Sequence, residues 1–402
     1  MEHATPPIFL VLVAAALAPL IGMATARFGL SIVVIELLLG VAIGPQGLAL
    51  VHPSAGMLTP LATFGMVFLF FIAGLEIDLD AIRGRPLLTA VAAWAIALGL
   101  GAAVGVGLSA LGLTQSWRVV AIALATTALG VLVPILRDAG IGDKPFGLQV
   151  LANGVVGELG PIVLMSVLLS SRYSSGTQAE LTLAFAALVL VLAWLIARGA
   201  KVPALLRPLR RGLDHSGQLP VRIVLVLIGG LAVAAELFGL DLALGALAAG
   251  MITGLATRGG ARTADLHSKI DALGFGFVVP MFFLVSGMKL DVRSMFTDTE
   301  GITLLAVFFV ALLVVRLPTV WLLRGALGTR QAAATALLSA TTLSLIVVLA
   351  QVAVAAGAMA PAEAAPLVGA GMLSVIVFPI IGMKLAGVER PPSPADTARD
   401  GL

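Results

Sequence analysis

"NGVVGELGPIVLMSVLLS", Asn153 to Ser170, reads as a membrane-crossing helix with a carboxylate in its middle and no basic residue within ten positions. Counted from Phe146, Glu158 lies twelve residues in. That is about 18 Å from the helix end at 1.5 Å per residue, near the middle of a hydrocarbon core ~30 Å thick. A charge there costs at least ~2.5 kcal/mol on insertion scales, which marks Glu158 as a candidate functional acid. Gly154, Gly157 and Gly160 recur every third residue and present a face on which another backbone can approach closely. Pro161 has no N–H, so the carbonyl of Gly157, four residues back, loses its helical partner. Carboxylate and freed carbonyl are hard oxygen ligands side by side, a pairing that suits a small desolvated cation. Glu158 is therefore the expected ion and proton ligand, with Gly157 beside it and Asn153 as a supporting polar group.

The rest of the chain supplies the solvent for this reading. Of 402 residues, 60% are hydrophobic and only 11% charged, with a mean hydropathy of +1.11. Soluble chains carry about a quarter charged residues, so this is an integral membrane protein. Its apolar runs are far longer than the ten-residue alternating segments of an outer-membrane barrel, which makes the class polytopic and all-α. The chain contains no cysteine, so disulfides and thiolate chemistry are excluded. His3, His52, His215 and His267 fall at or near segment ends, and no HExxH pattern lies in a span, so a membrane-embedded hydrolase is disfavoured. The first run follows "MEHATPP", which lacks Lys and Arg, and is expected to be a retained span rather than a cleaved signal.

Gly, Pro and charge clusters delimit thirteen expected transmembrane helices, at about 6–25, 30–46, 57–77, 86–112, 117–137, 146–171, 179–199, 219–238, 240–257, 266–288, 301–324, 331–357 and 363–386. An odd count puts the termini on opposite sides. With the N-terminus outside and the C-terminus cytoplasmic, most of the 24 Lys and Arg fall inside; only Arg118, Arg172, Lys289 and Arg293 fall outside, and Arg316 within a span. The pI near 9.7 then reflects this inner-leaflet bias and calls for no nucleic acid. The expected organisation is a transmembrane domain over 1–386 and a short cytoplasmic tail over 387–402, in the cell (inner) membrane.

Two internal echoes suggest a repeat. "FFIAGLEIDL" from Phe70, in the third span, matches "FFLVSGMKLDV" from Phe282, in the tenth; "TTALGVLV" from Thr126, in the fifth, matches "TTLSLIVV" from Thr341, in the twelfth. Each pair is offset by seven spans, so the copies run in opposite directions. That is the inverted-repeat transporter plan, with repeats at about 30–171 and 240–386 linked by the seventh and eighth spans and with two crossing discontinuous helices near the midplane. Thr126, Thr127, Thr341 and Thr342 mark the expected breaks, since hydroxyls can hold backbone groups freed where a helix unwinds; Thr126 and Thr127 are expected to join Glu158 and Gly157 in binding the ion and proton, with Thr341 and Thr342 in support. Arg316 is expected to pair with Glu158 or to snorkel to the cytoplasmic interface. Glu36, about two turns into the second span, is expected to be paired or hydrogen-bonded.

"ELLLGVAIGPQGL", "VFLFFIAGLEIDL", "LATTALGVLVPILRDAG" and "FVVPMFFLVSGMKLD", in that order along the chain, resemble the membrane domain of Kef-type monovalent cation/proton antiporters. The resemblance covers about residues 6 to 386. It implies a homodimer with a dimerisation domain and a mobile core domain holding the crossing helices. In that family the helix after the first break carries a polar residue followed by the ion-binding carboxylate. Here the pair is Gly157-Glu158: the acid is one methylene longer and its polar neighbour is glycine, a departure that bears on stoichiometry and ion preference. Arg316 matches the family's basic residue beside the crossing.

The function expected is Na⁺ or K⁺/proton antiport by alternate occupancy of Glu158, electroneutral because a single acid serves both ions. Beyond the transported ions no cofactor is expected, and the partners are the bilayer and a second copy of the chain. A cation channel would need a filter-like loop or ring, which is not evident. A sodium-coupled organic-solute carrier would need a roomier polar site than Ala, Val and Gly linings offer.

Overall fold

A computed structural model describes residues 7–25, 31–77, 82–168, 175–198, 218–257, 263–293 and 299–387. The basic stretch 199–217, which carries much of the orientation argument, and the tail from 388 lie outside the described residues.

Among the described residues every regular element is helical. In chain order these are α1 (Pro7–Ala24), α2 (Ile32–Ile43), α3 (Leu58–Glu76), α4 (Arg85–Ala110), α5 (Trp117–Leu124), α6 (Leu129–Asp138), α7 (Pro145–Leu168), α8 (Ser175–Arg198), α9 (Leu219–Leu237) and α10 (Leu242–Thr257). There follow α11 (Thr263–Leu273), a π-helical turn (Gly274–Val278), α12 (Val279–Lys289), α13 (Thr299–Val314), α14 (Pro318–Ser339), α15 (Ser344–Ala355) and α16 (Pro361–Ala386). Among the described residues eight helical stretches are long and apolar enough to cross a membrane, and shorter apolar helices accompany them.

The expected breaks are present: the backbone is non-helical at 126–128, between α5 and α6, and at 341–343, between α14 and α15. A third interruption was not expected. Instead of one helix to residue 324, the chain turns at 315–317, where the N–H groups of Arg316 and Leu317 bond three residues back, to Leu313 and Val314. Pro318 explains the turn, because it has no N–H for the Val314 carbonyl and its ring crowds the preceding turn. α14 then kinks at Gly328, whose φ of 77° lies in the left-handed region.

The chain divides into two compact units. The first comprises Met1–Asp78, Ile162–Asp298 and Gln351–Ala365. Glycine lets its helices meet backbone to backbone: a Cβ at Gly40 of α2 would strike the carbonyl of Leu284 in α12, and one at Gly287 would strike that of Leu37. Gly74 of α3 and Gly250 of α10 make the same reciprocal approach through the Leu247 and Phe71 carbonyls. Small residues at helix crossings are how membrane helices gain dispersion energy where no hydrophobic effect separates helix from lipid. Glu36 departs from expectation. Among the described residues it has neither hydrogen bond nor ion pair, although it is only 4% exposed; it lines a cavity of about 400 Å³ between α1, α2 and the π turn.

The second unit comprises Leu79–Pro161, Thr299–Ala350 and Pro366–Leu402. One cluster of Leu132, Leu136, Phe146, Val150, Ala334 and Leu338 packs α6, α7 and α14 together. Phe309 and Phe378 stack with centroids 5.0 Å apart, tying α13 to α16. The glycine face of α7 serves three neighbours: Gly154 lies against the Leu129 side chain, Gly157 against Thr127 and Gly160 against the Trp94 ring of α4. All three face side chains first, and at Gly157 the irregular backbone comes close as well, through the N–H of Thr127.

Candidate functional site

The site lies within the second unit, where the two broken stretches and α7 come together. A broken helix exposes N–H and C=O groups that an apolar interior cannot solvate, and each buried orphan costs about 1–3 kcal/mol. Most of the local chemistry answers that demand. The N–H of Ala128 donates to the carbonyl of Thr341 at 2.8 Å, so the breaks satisfy each other directly. Thr127 N–H donates to Gly157 O at 2.9 Å. This is the carbonyl that Pro161 unpairs, and its partner is a donor from the first break.

Hydroxyls close the remaining gaps. Thr126 and Thr342 meet Oγ1 to Oγ1 at 2.6 Å across the breaks. Thr126 Oγ1 donates to Ala123 O at 2.6 Å, which leaves Thr342 as donor to Thr126. Thr127 Oγ1 donates to Ser339 O at 2.7 Å, and Thr341 Oγ1 reaches back to Leu337 O at 3.4 Å. Ser374 of α16 accepts from Thr342 N–H at 3.0 Å. Asn153 donates through Nδ2 to Ser339 Oγ at 3.0 Å and accepts through Oδ1 from Gln149 Nε2 at 3.1 Å. Gln149 in turn accepts from Thr89 Oγ1 of α4 at 3.0 Å.

Glu158, 5% exposed, accepts through Oε2 from the N–H of Leu129 at 3.0 Å. Leu129 is the first residue of α6, so the carboxylate stands at a helix N-terminus, where unsatisfied N–H groups and the helix dipole favour negative charge. Arg316, 2% exposed, neither snorkels nor takes Glu158 as its hydrogen-bond partner. Its Nη2 donates to Thr126 O at 2.7 Å and to Thr127 Oγ1 at 3.1 Å, while Nε finds no partner among the described residues. A positive guanidinium thus faces the carbonyl end of α5, and a negative carboxylate the amide end of α6. Each opposes the partial charge of a helix end that the break leaves inside the protein.

All eight residues singled out from the sequence (Asn153, Thr126, Thr127, Gly157, Glu158, Arg316, Thr341 and Thr342) therefore fall in one connected neighbourhood. Ser339, Ser374 and Gln149 belong to it and were missed. Ser339 precedes the threonine pair by two residues and Gln149 precedes Asn153 by one helical turn, signals that were available; Ser374 is a lone hydroxyl in an apolar run and carried none. Among the described residues no group of three or more His, Cys, Asp or Glu could hold a metal ion.

The chain is similar to known proteins over most of its length. Residues 12–384 match the family described as sodium/hydrogen exchanger, transmembrane. The putative Na⁺/H⁺ antiporter YjbQ of Bacillus subtilis is 29% identical over 389 residues, 92% of this chain and 62% of that protein. The glutathione-regulated potassium-efflux system protein KefC of Klebsiella pneumoniae is 27% identical over 313 residues, 76% of this chain and 48% of that protein. The chain thus spans between about half and two thirds of the length of these relatives. The structure of the sodium proton antiporter MjNhaP1 from Methanocaldococcus jannaschii shares the fold, with a TM-score of 0.68 and 17% identity, covering 95% of this chain and 99% of that one.

Proposed function

The chain belongs to the sodium/hydrogen exchanger family, and from that premise we propose that it exchanges Na⁺ or K⁺ for protons, with Glu158 as the alternating ligand. The observation that carries the proposal is the placement of Glu158: a buried carboxylate at the amide end of α6, one residue from the Gly157 carbonyl and beside two interrupted helices. A proton or a cation neutralises this carboxylate, and the two cannot do so together. Mutual exclusion at one site is sufficient to couple their fluxes. Gly157 O has a second lone pair beyond the one that meets Thr127 and supplies a further oxygen to the cation. Thr126, Thr127, Thr341 and Thr342 shape the site from the backbone side, their hydroxyls being committed largely to one another and to the broken turns. Asn153 and Arg316 brace the same turns.

Within this reading the exchange is electroneutral, one proton for one cation, since Gly157 stands where a second polar group would sit and a Cβ there would strike Thr127. A guanidinium does not release its proton at any working pH, so Arg316 adds no carrier. The reading also takes in thirteen spans with the N-terminus outside, inverted repeats over about 30–171 and 240–386, and a homodimer in the cell membrane. The matched interruptions at 126–128 and 341–343 support the repeat.

Proton flux in proteoliposomes under an opposing Na⁺ or K⁺ gradient tests it. Cation addition is expected to release protons, and the ion gradient at equilibrium is expected not to change when the membrane potential is set from zero to about 100 mV, which is worth ~2.3 kcal/mol per net charge moved. Current without proton movement would indicate a channel instead, and a voltage-dependent equilibrium would require a second proton carrier.

A further inference from the structure

The cavity of about 400 Å³ in the first unit has no part in this exchange site. Its walls come from α1, α2, the π turn and the start of α12, and among the described lining residues Glu36 is the only polar or ionisable side chain. The acid is 4% exposed and has no hydrogen bond or ion pair among the described residues. A buried carboxylate without a partner is costly, and chains place one in an apolar wall where something else supplies the partner. Opposite Glu36, the π turn presents Phe275 and Phe277, respectively 49% and 38% exposed. Single π turns inside helices recur at functional sites, and aromatic rings attract cations over their faces.

We infer that this pocket binds a lipophilic amine, with its ammonium paired to Glu36 and flanked by Phe275 and Phe277 and its apolar body against Ala15 and Met281. The volume falls within the usual range for small-molecule sites, about 300–1,000 Å³, and one polar group in an apolar lining is the usual means of orienting such a ligand. A bare metal cation is a poor fit, since it needs several oxygen ligands and the lining side chains offer one carboxylate. An aminophospholipid headgroup is also disfavoured, because its phosphate would bring a second anion to a lining that holds no basic residue among the described residues.

The test uses the full chain in phosphatidylcholine nanodiscs, with 4-phenylbutylammonium and its neutral isostere 4-phenylbutanol as probes, binding to empty discs being subtracted. The wild type is expected to hold the ammonium about tenfold more tightly than the alcohol. Glu36→Gln should bring the two affinities level, and Ala15→Leu, which fills the pocket, should weaken both probes by a similar factor. Monodisperse elution shows that each variant is folded. The inference is overturned if the wild type shows no preference, which requires no variant, or if the preference survives Glu36→Gln. It is overturned equally if Ala15→Leu leaves both probes unaffected, or if phosphatidylethanolamine in the discs displaces the ammonium, which would assign the pocket to lipid.

Discussion

Glu36 and Glu158 are both buried acids on apolar helices, and the protein treats them in opposite ways. Glu158 meets a helix amide within a neighbourhood of threonines, serines and amides in which the irregular backbone is almost fully satisfied. Among the described residues Glu36 meets only apolar side chains around a cavity. The helices differ to match. Around Glu36, α2 and α12 are continuous and pressed together through glycine; around Glu158, helices are interrupted and their open ends tied by side chains. Burial alone therefore does not mark the candidate exchange site. What marks it is burial together with fixed dipoles prearranged around the charge.

Glu158→Gln offers the strongest way to break this comparison. Loss of cation-driven proton release is expected to be complete in proteoliposomes, with insertion and elution unchanged, because the amide still accepts from Leu129 N–H but carries neither proton nor cation. Exchange that persisted would move the site elsewhere and leave Glu36 as the next acid to examine.

Gly157→Ala sharpens it. The added methyl strikes Thr127 at a point where both sides are constrained, the one by α7 and the other by its bonds to Gly157 O and Ser339 O. Overpacking of this kind costs about 1–3 kcal/mol, so a lower unfolding midpoint in detergent is expected. Gly40→Ala, which strikes a backbone carbonyl in the first unit, should cost a similar amount. Exchange per folded molecule should fall further for Gly157→Ala, and equal loss in both variants would mean that position 157 matters for packing alone.

Smaller effects come from the hydroxyls. Ser374→Ala leaves the N–H of Thr342 unpaired at the second break, a loss of about 1–3 kcal/mol. Ser286→Ala in the first unit removes the acceptor of Gln351 Nε2, at 2.6 Å, from a partly buried side chain. A loss of about 0.5–1.5 kcal/mol is expected there, the net worth of an ordinary hydrogen bond. Chemical denaturation of the two variants side by side checks the order, and a reversal would mean that water reaches the second break.

Much of the candidate site was legible in the sequence because its parts carry local rules. Pro161 unpairs a carbonyl at a fixed offset, paired threonines mark unwound backbone, and a midspan acid has no bland reading. Arg316 was legible as an anomaly but not in its role, since its acceptors, Thr126 and Thr127, lie some 190 positions away and are brought to it only by the fold. Ser374 was invisible for the same reason. The environment of Glu36 was misread: an expected partner is a default assumption for a buried acid, and only the packing of α1 and the π turn reveals the cavity in its place. "GFGFVVP" holds two glycines and a proline, yet nothing in that string distinguishes a π turn from a kink.

The bond from Thr127 to Gly157 also makes α7 a ruler. Proline opens only the carbonyl four residues before it, so the interval from Gly157 to Pro161 determines which peptide unit can receive the first break. One residue inserted in that interval would open the carbonyl of Glu158 instead and turn the helix face by about 100°. Thr127 would then face a carbonyl already claimed by its own helix. Leu159 should accordingly accept a change of residue type, whereas no change in the number of residues between these positions should be accepted, a constraint on length that composition alone would never disclose.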